Sequence, residues 1–361
     1  MTVYYYTIAM VMIFSLLAQA YDFKHETIIG LDRVKHTQIT SFFLLLASST
    51  LIFVSGFRYY VGTDYHAYFK NYYYYVNDVH NSVVTLDEPG LKILYWVSSW
   101  ISESPFIPLF LCALLTIGLS TRTIYRYTDQ VFFATMLYVF LGCWHSSFNA
   151  IRQCFAGMIV FCGIEYLRDK KFIKYFVCVL VGYLFHKSAI IMLIPYFLVN
   201  RKVTVKNLII LTGAVIIVLL SYETLFSITS NILQDDSALE TGYALRSVNV
   251  LRIVIAAAPA AFFLILFYKR EKTVETTFHL NICIIHAAFM IMAANSAYLA
   301  RVGIYTAPFC AISIPELMKA ISSKNRRTVS FFVLILYAVY FFYEIRISSS
   351  LNHFQWIFPY I

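Results

Sequence analysis

The polar residues of this chain fall into a few short islands, and their types point to chemistry on an anion. In HSSFNAIRQCFAG, His145 to Gly157, the residues Asn149, Arg152 and Gln153 stand at i, i+3 and i+4. That spacing shares one helix face, and Ser146 or Ser147 is placed to cap it. A guanidinium and two amides beside a helix N-terminus form a natural anion site. In NSAYLARVGIYTAP, Arg301 and Tyr305 lie about one turn apart, and Pro308 is expected to kink their helix. Arg58 closes one apolar run and Arg252 opens another. Two groups could take a proton: His186 in YLFHKSAIIMLIPYF, followed by Ser188, and Asp64 in RYYVGTDYHAY.

The local sequence around Asp64 is specific. Gly62 permits a sharp turn, Thr63 can cap a new helix, and Asp64 then sits in its first turn, where the dipole favours a carboxylate. Tyr65, Tyr68, Tyr72 and Tyr75 follow on one face, which suits sugar rings or a membrane interface. Each island also has a plainer reading. Asp64 could cap a helix or pair with Arg58, Arg152 and Arg252 could snorkel to the interface, and His186 could be a structural donor.

The elements that hold these islands are membrane spans. Of 361 residues, 60% are hydrophobic and 13% charged, and mean hydropathy is +0.70, where a soluble domain is about a quarter charged. Continuous apolar runs exclude a β-barrel. Twelve segments are expected, near 3–20, 40–57, 104–121, 130–146, 150–167, 172–186, 187–199, 207–222, 249–268, 277–295, 300–318 and 329–346. Ten to twelve would be full spans, because 187–199 is short for a crossing. Residues 1–20 lack a basic leader and read as the first span. Residues 91–102 read as an interfacial helix. The fold class is thus an all-α polytopic membrane protein, a single domain over 1–361. The seven cysteines lie in apolar runs without metal-ligand spacing, so neither a metal nor a disulfide framework is expected.

Charge fixes the expected topology. Nineteen of the 28 Lys and Arg residues follow odd-numbered spans: 24, 33 and 35; 122 and 126; 168, 170, 171 and 174; 201, 202 and 206; 269, 270 and 272; 319, 324, 326 and 327. By the positive-inside rule those loops are cytoplasmic. The polar islands and the two long loops, about 58–103 and 223–248, then lie outside. The net charge of +9 is therefore a topology signal, with no nucleic-acid partner expected. The short inner loops leave no room for a nucleotide-binding domain, and no Gly-rich phosphate loop is present.

Four stretches together resemble the EpsG-like branch of the Wzy polysaccharide polymerases: RYYVGTDYHAY (58–68) with DEPG (87–90), NAIRQCFA (149–156), LFHKSA (184–189) and RVGIY (301–305). The resemblance covers about residues 50–310 and adds Glu88 as a further carboxylate. It implies a GT-C-like inverting glycosyltransferase of the bacterial inner (cytoplasmic) membrane, multi-pass and active toward the periplasm or exterior. The implied reaction joins undecaprenyl-diphosphate-linked oligosaccharide repeats for lipopolysaccharide, capsule or exopolysaccharide. The growing glycan moves to the terminal sugar hydroxyl of a new lipid-linked repeat, and undecaprenyl diphosphate leaves. No cofactor is implied, because the donor carries its own leaving group. A chain-length regulator is a further candidate partner.

On this expectation His186 is the base and Asp64 orients the acceptor, with the opposite assignment open. Arg152, Arg301, Arg58 and Arg252 would meet the diphosphate. Asn149, Gln153, Tyr305, Tyr65, Tyr68 and Glu88 would support them or bind sugar. An O-antigen ligase of similar architecture and a lipid-linked oligosaccharide flippase are the alternatives. A flippase should show repeated halves, which this sequence lacks.

Overall fold

The computed structural model describes residues 1–24, 28–29, 34–77, 88–233, 246–347 and 350–360. Asp87, with the rest of 78–87 in the first expected outer loop and 234–245 in the second, therefore lies outside the described residues. The chain opens with α1 (Thr2–Lys24), a two-residue antiparallel pair of β1 (Ile28–Ile29) and β2 (Val34–Lys35), and α2 (Gln38–Gly56). Two short helices follow, α3 (Tyr65–Val76) and α4 (Pro89–Ser99), then α5 (Phe106–Tyr127). The centre is α6 (Val131–Phe140), α7 (Cys143–Asn149), α8 (Ile151–Cys162), α9 (Ile164–Arg168) and α10 (Phe172–Phe185). A 3₁₀ turn over Lys187–Met192 leads to α11 (Leu193–Leu198) and α12 (Val205–Leu233). The last elements are α13 (Val250–Leu266), α14 (Val274–Met292), α15 (Ala297–Ala300), α16 (Gly303–Met318) and α17 (Ser323–Ile347).

Among the described residues, eight helical stretches are long and apolar enough to cross a membrane, and four shorter apolar ones occupy 151–162, 172–185, 187–198 and 250–266. The piece over 187–198 shows how a short segment can match a longer neighbour. Six residues of 3₁₀ and six of α-helix rise about 21 Å. The fourteen residues of α10 also rise about 21 Å. Two expectations change. Gly142, at φ +89°, separates α6 from α7 inside the span expected near 130–146. Helix α12 runs on to Leu233, past the point where an outer loop was expected to begin at 223.

Burial separates centre from periphery. Helices α6, α14 and α16 are buried over most of their length. Polar pairs tie the last two together: His279 to Ser313 at 3.0 Å and His286 to Thr306 at 2.7 Å, as hydrogen bonds between packed membrane helices do. Helix α12 turns Ile209, Ile217 and Leu220 outward, as a lipid-facing surface requires. Helix α4 buries Leu91, Leu94 and Tyr95 and exposes Ile93, Trp96 and Trp100. It has the two-sided character expected of an interfacial helix.

The hydrogen bonds define two ends of the bundle. At one, Tyr4 OH donates to the Leu351 carbonyl (2.8 Å). There the chain after α2 also pairs with the C-terminal segment, Tyr59 N to Gln355 O and Ile357 N to Phe57 O, both 2.9 Å. At the other, Lys319 meets Asp129 (2.7 Å), Tyr127 meets Glu165 (2.8 Å), and Asn281 donates to the Val199 and Arg201 carbonyls. Basic residues 122–126, 168–174, 201–206 and 319–327 gather at this second end. The candidate site residues gather at the first.

Candidate functional site

Glu88 is the centre of a polar cluster at the Met1 end. Its Oε2 accepts from Arg152 Nη1 at 2.6 Å, and its Oε1 meets His186 Nδ1 at 2.8 Å. Arg152 Nε donates to Tyr68 OH at 2.8 Å, with the guanidinium 5.7 Å from that ring's centre. Four elements converge here: α3 brings Tyr68, the start of α4 brings Glu88, α8 brings Arg152, and the end of α10 brings His186. Pro89 starts α4 as its first residue, where a missing N–H costs nothing. Gly90 lets α4 close on α10, because a Cβ there would lie 2.7 Å from the Phe185 ring and 2.9 Å from the Leu184 carbonyl.

Burial alone would push the Glu88 carboxyl up. The His186 hydrogen bond and the Arg152 charge outweigh it and hold the group below its ordinary value, so it is a carboxylate at neutral pH. Burial pushes the Tyr68 phenol well above its ordinary range against the pull of Arg152, and the charge of Asp64 adds to that rise. Tyr68 is therefore a neutral acceptor for Arg152. His186 Nε2 and Arg152 Nη2 have no hydrogen-bond partner among the described residues.

On the other side of α8 lies a cavity of about 980 Å³. Asp64, Asn149, Arg246, Arg252, Arg301 and Glu344 line it, as do His145 and His286. The loop carrying Asp64 is pinned to other parts of the chain at two points and carries one internal bond. Gly62 N donates to Ser350 O (3.0 Å), Thr63 N donates to Asn149 Oδ1 (2.9 Å), and Thr63 Oγ1 donates to Asp64 Oδ1 (3.1 Å). Gly62 adopts φ +105°, and a Cβ there would stand 2.0 Å from the Phe148 carbonyl oxygen. Only glycine fits that conformation and that approach.

The expected site residues thus divide into two groups. His186, Arg152, Glu88 and Tyr68 form the cluster; Asp64, Arg301, Arg252 and Asn149 face the cavity. Gln153 joins them from within, its Nε2 donating to the Arg301 carbonyl (3.0 Å), while Tyr305 OH meets Ser188 Oγ (2.8 Å). Arg58 belongs to neither group. It is buried, donates to the Val61 and Ser55 carbonyls, and lies 4.8 Å from the Phe148 ring centre. It braces the loop instead of meeting a diphosphate, and among the described residues it makes no ion pair with Asp64.

Several local expectations are corrected. Asp64 occupies the N-cap position of α3 and makes no capping bond with its side chain. A break at Ala150, φ −100° and ψ 60°, puts Asn149 on α7 and Arg152 on α8, so the two do not share a helix face. Neither Ser146 nor Ser147 caps α8. Tyr65, Tyr68 and Tyr72 pack inward against Leu91, Leu94 and Leu109, so this tyrosine face meets protein and not a sugar. Arg252 is already bonded to Glu344. Glu344 went unnoticed in the sequence. Its signal was a lone acid in the last apolar run, the kind of residue that usually faces a cavity.

Among the described residues no group of three or more His, Cys, Asp or Glu is placed to hold a metal, and all seven cysteines are free thiols. Comparison with curated proteins and with solved structures returns no match. The model of the EpsG family matches residues 41–361. That stretch contains every residue of the Glu88 cluster and of the cavity wall, and the chain belongs to the EpsG family.

Proposed function

We propose that the protein polymerises lipid-linked glycan repeats, joining two undecaprenyl-diphosphate substrates on the outward face of the bacterial inner membrane. Family membership supports a polysaccharide polymerase role in general. One observation carries the finer reading: two arginine-bearing sites flank the first turn of α8 at the same end of the bundle. A polymerase must hold a donor and an acceptor at once. A flippase needs a single substrate path.

In this reading the donor's diphosphate lies in the cavity with Arg246 and Arg301. The acceptor's terminal sugar reaches His186. The acceptor oxygen attacks the donor's anomeric carbon, and the bond from that carbon to the diphosphate oxygen breaks with its electron pair. Guanidinium groups stabilise the charge left on the diphosphate. The hydroxyl proton passes to His186 Nε2. Glu88 holds Nδ1, which fixes the ring and favours the imidazolium as it forms, the arrangement by which a carboxylate supports a histidine base. Asp64, on the cavity wall and within electrostatic reach of Tyr68, orients the acceptor. Direct displacement inverts the anomeric centre.

The test uses a deletion strain complemented with variants of verified membrane insertion. Arg152→Ala and Arg301→Ala should accumulate single-repeat lipid product and make no long glycan. Long chains from Arg301→Ala would overturn the diphosphate assignment, and long chains from Arg152→Ala would remove the Glu88 cluster from the reaction. Polymer that forms without reaching its final acceptor would favour the ligase alternative.

A further inference from the structure

We infer that Glu344, Arg252 and His145 form a sugar-binding subsite within the cavity, taking hydroxyls of the glycan and not its diphosphate. The inference rests on the polymerase reading for the class of ligand. Glu344 is 7% exposed and lines the cavity near the end of α17. Its Oε2 is bonded to Arg252, and Tyr340 lies against both. Its Oε1 is buried and has no hydrogen-bond partner among the described residues. A buried carboxylate oxygen without a donor is costly, so a donor is expected there.

The chemistry of that donor is restrictive. A diphosphate offers acceptor oxygens only, so it cannot satisfy a carboxylate oxygen and would be repelled by it. The carboxylate also cancels the Arg252 charge locally, so Arg252 is a poor anion ligand. A sugar hydroxyl both donates and accepts. His145 reinforces this choice. It comes from α7 to the same cavity, and its Nδ1 is likewise buried without a partner among the described residues. Glu344 and His145, each with a buried polar atom lacking a partner among the described residues, thus line one volume large enough for a glycan segment.

The experiment uses the full chain in lipid nanodiscs and follows intrinsic fluorescence on titration. The probes are undecaprenyl diphosphate carrying the host's oligosaccharide repeat and the same lipid without sugar. Wild type should bind the glycosylated lipid more tightly. In Glu344→Gln the amide oxygen can keep the Arg252 bond while the NH₂ replaces the orphaned acceptor. That variant should bind the glycosylated lipid about tenfold more weakly and shift the bare lipid by less than about twofold. His145→Phe keeps a ring and removes the nitrogen; it should cost about threefold or more on the glycosylated lipid alone, and it serves if Glu344→Gln does not fold. Equal weakening of both lipids, or of neither, would overturn the subsite. Wild type binding both lipids equally would also overturn it while leaving the polymerase reading intact. Wild type binding neither would overturn that reading and the subsite with it.

Discussion

Glu88 and Glu344 are both buried carboxylates bonded to an arginine, at the same end of the bundle and on opposite sides of α8. Glu88 uses both oxygens, one on Arg152 and one on His186. Glu344 lines the cavity and uses one, on Arg252, while its other oxygen is buried with no hydrogen-bond partner among the described residues. The first pair is closed: every Glu88 acceptor is engaged by the protein, so its work is to position His186 and Arg152. The second pair is open, so its work depends on what enters. Similar chemistry yields a positioning device in one place and a binding surface in the other, and variants can tell the two apart.

The largest effect should come from His186→Ala and Arg301→Ala, one from each side of α8. A positioned base contributes roughly 10²–10⁴-fold and a charge-stabilising donor roughly 10²–10³-fold. Each variant should therefore lose at least about 10²-fold in polymerisation rate, measured with purified protein and lipid-linked repeat. Normal turnover in Arg301→Ala would remove the cavity from the reaction. Normal turnover in His186→Ala would move the base to Asp64.

Glu88→Gln comes next and tests whether the closed pair is closed. It keeps size but loses charge on both partners, and a loss of roughly 10²-fold in rate is expected if His186 is a base held by Glu88. The pH dependence has a definite sign. The folded-state value of Glu88 lies below its unfolded value of about 4.5. Its stabilisation is therefore fully present above that pH and lost as pH falls through the lower folded value. Thermal unfolding of wild type should show a full, pH-independent Glu88 contribution between pH 7 and 5 and its loss as pH falls below about 4.5. In Glu88→Gln that acid-limb loss should shrink. An unchanged acid limb would show that Glu88 is not the group held by His186 and Arg152.

The asymmetry between the two carboxylates also explains what the sequence disclosed. Apolar runs and basic clusters are one-dimensional signals, so the helical membrane class and the gathering of polar islands at one end were legible. Glu88 was visible through its motif, yet its double role depends on α4 closing against α10 at Gly90, a contact between residues about a hundred positions apart. The tyrosine stripe had the right helical period, but periodicity does not say whether a face meets solvent or Leu91 and Leu94. Arg58 read as a cation for a ligand because its type was visible and its burial was not. The break at Ala150 has no Gly or Pro at that position to mark it, so Asn149 and Arg152 were assigned to one face.

Gly90→Ala should have a smaller effect on the same geometry. Its Cβ would meet the Phe185 ring at 2.7 Å, and relieving such overpacking costs about 1–3 kcal/mol. Because α4 must then move from α10, the rate should fall along with stability. The cavity side, including differential lipid binding through Glu344, should be unchanged. A parallel loss on both sides would mean that the two regions are one site mechanically.

The smallest effect is expected from Tyr68→Phe, and it separates orientation from packing. The ring is buried against Leu91 and Leu94 and remains in the variant. Only the hydroxyl that accepts from Arg152 Nε is lost. A hydrogen bond from a charged donor is worth about 1.5–3 kcal/mol, but Arg152 keeps its bond to Glu88 and its side chain is 40% exposed, so water can replace part of the loss. The expected rate decrease is about threefold to tenfold, below that range because water replaces part of the loss, with thermal stability changed little. A loss as deep as that of Glu88→Gln would make Tyr68 an equal holder of Arg152, and the cluster would be centred on the guanidinium instead of the carboxylate. No loss at all would mean that Glu88 alone sets the Arg152 geometry, which is the stronger form of the contrast with the singly bonded Glu344.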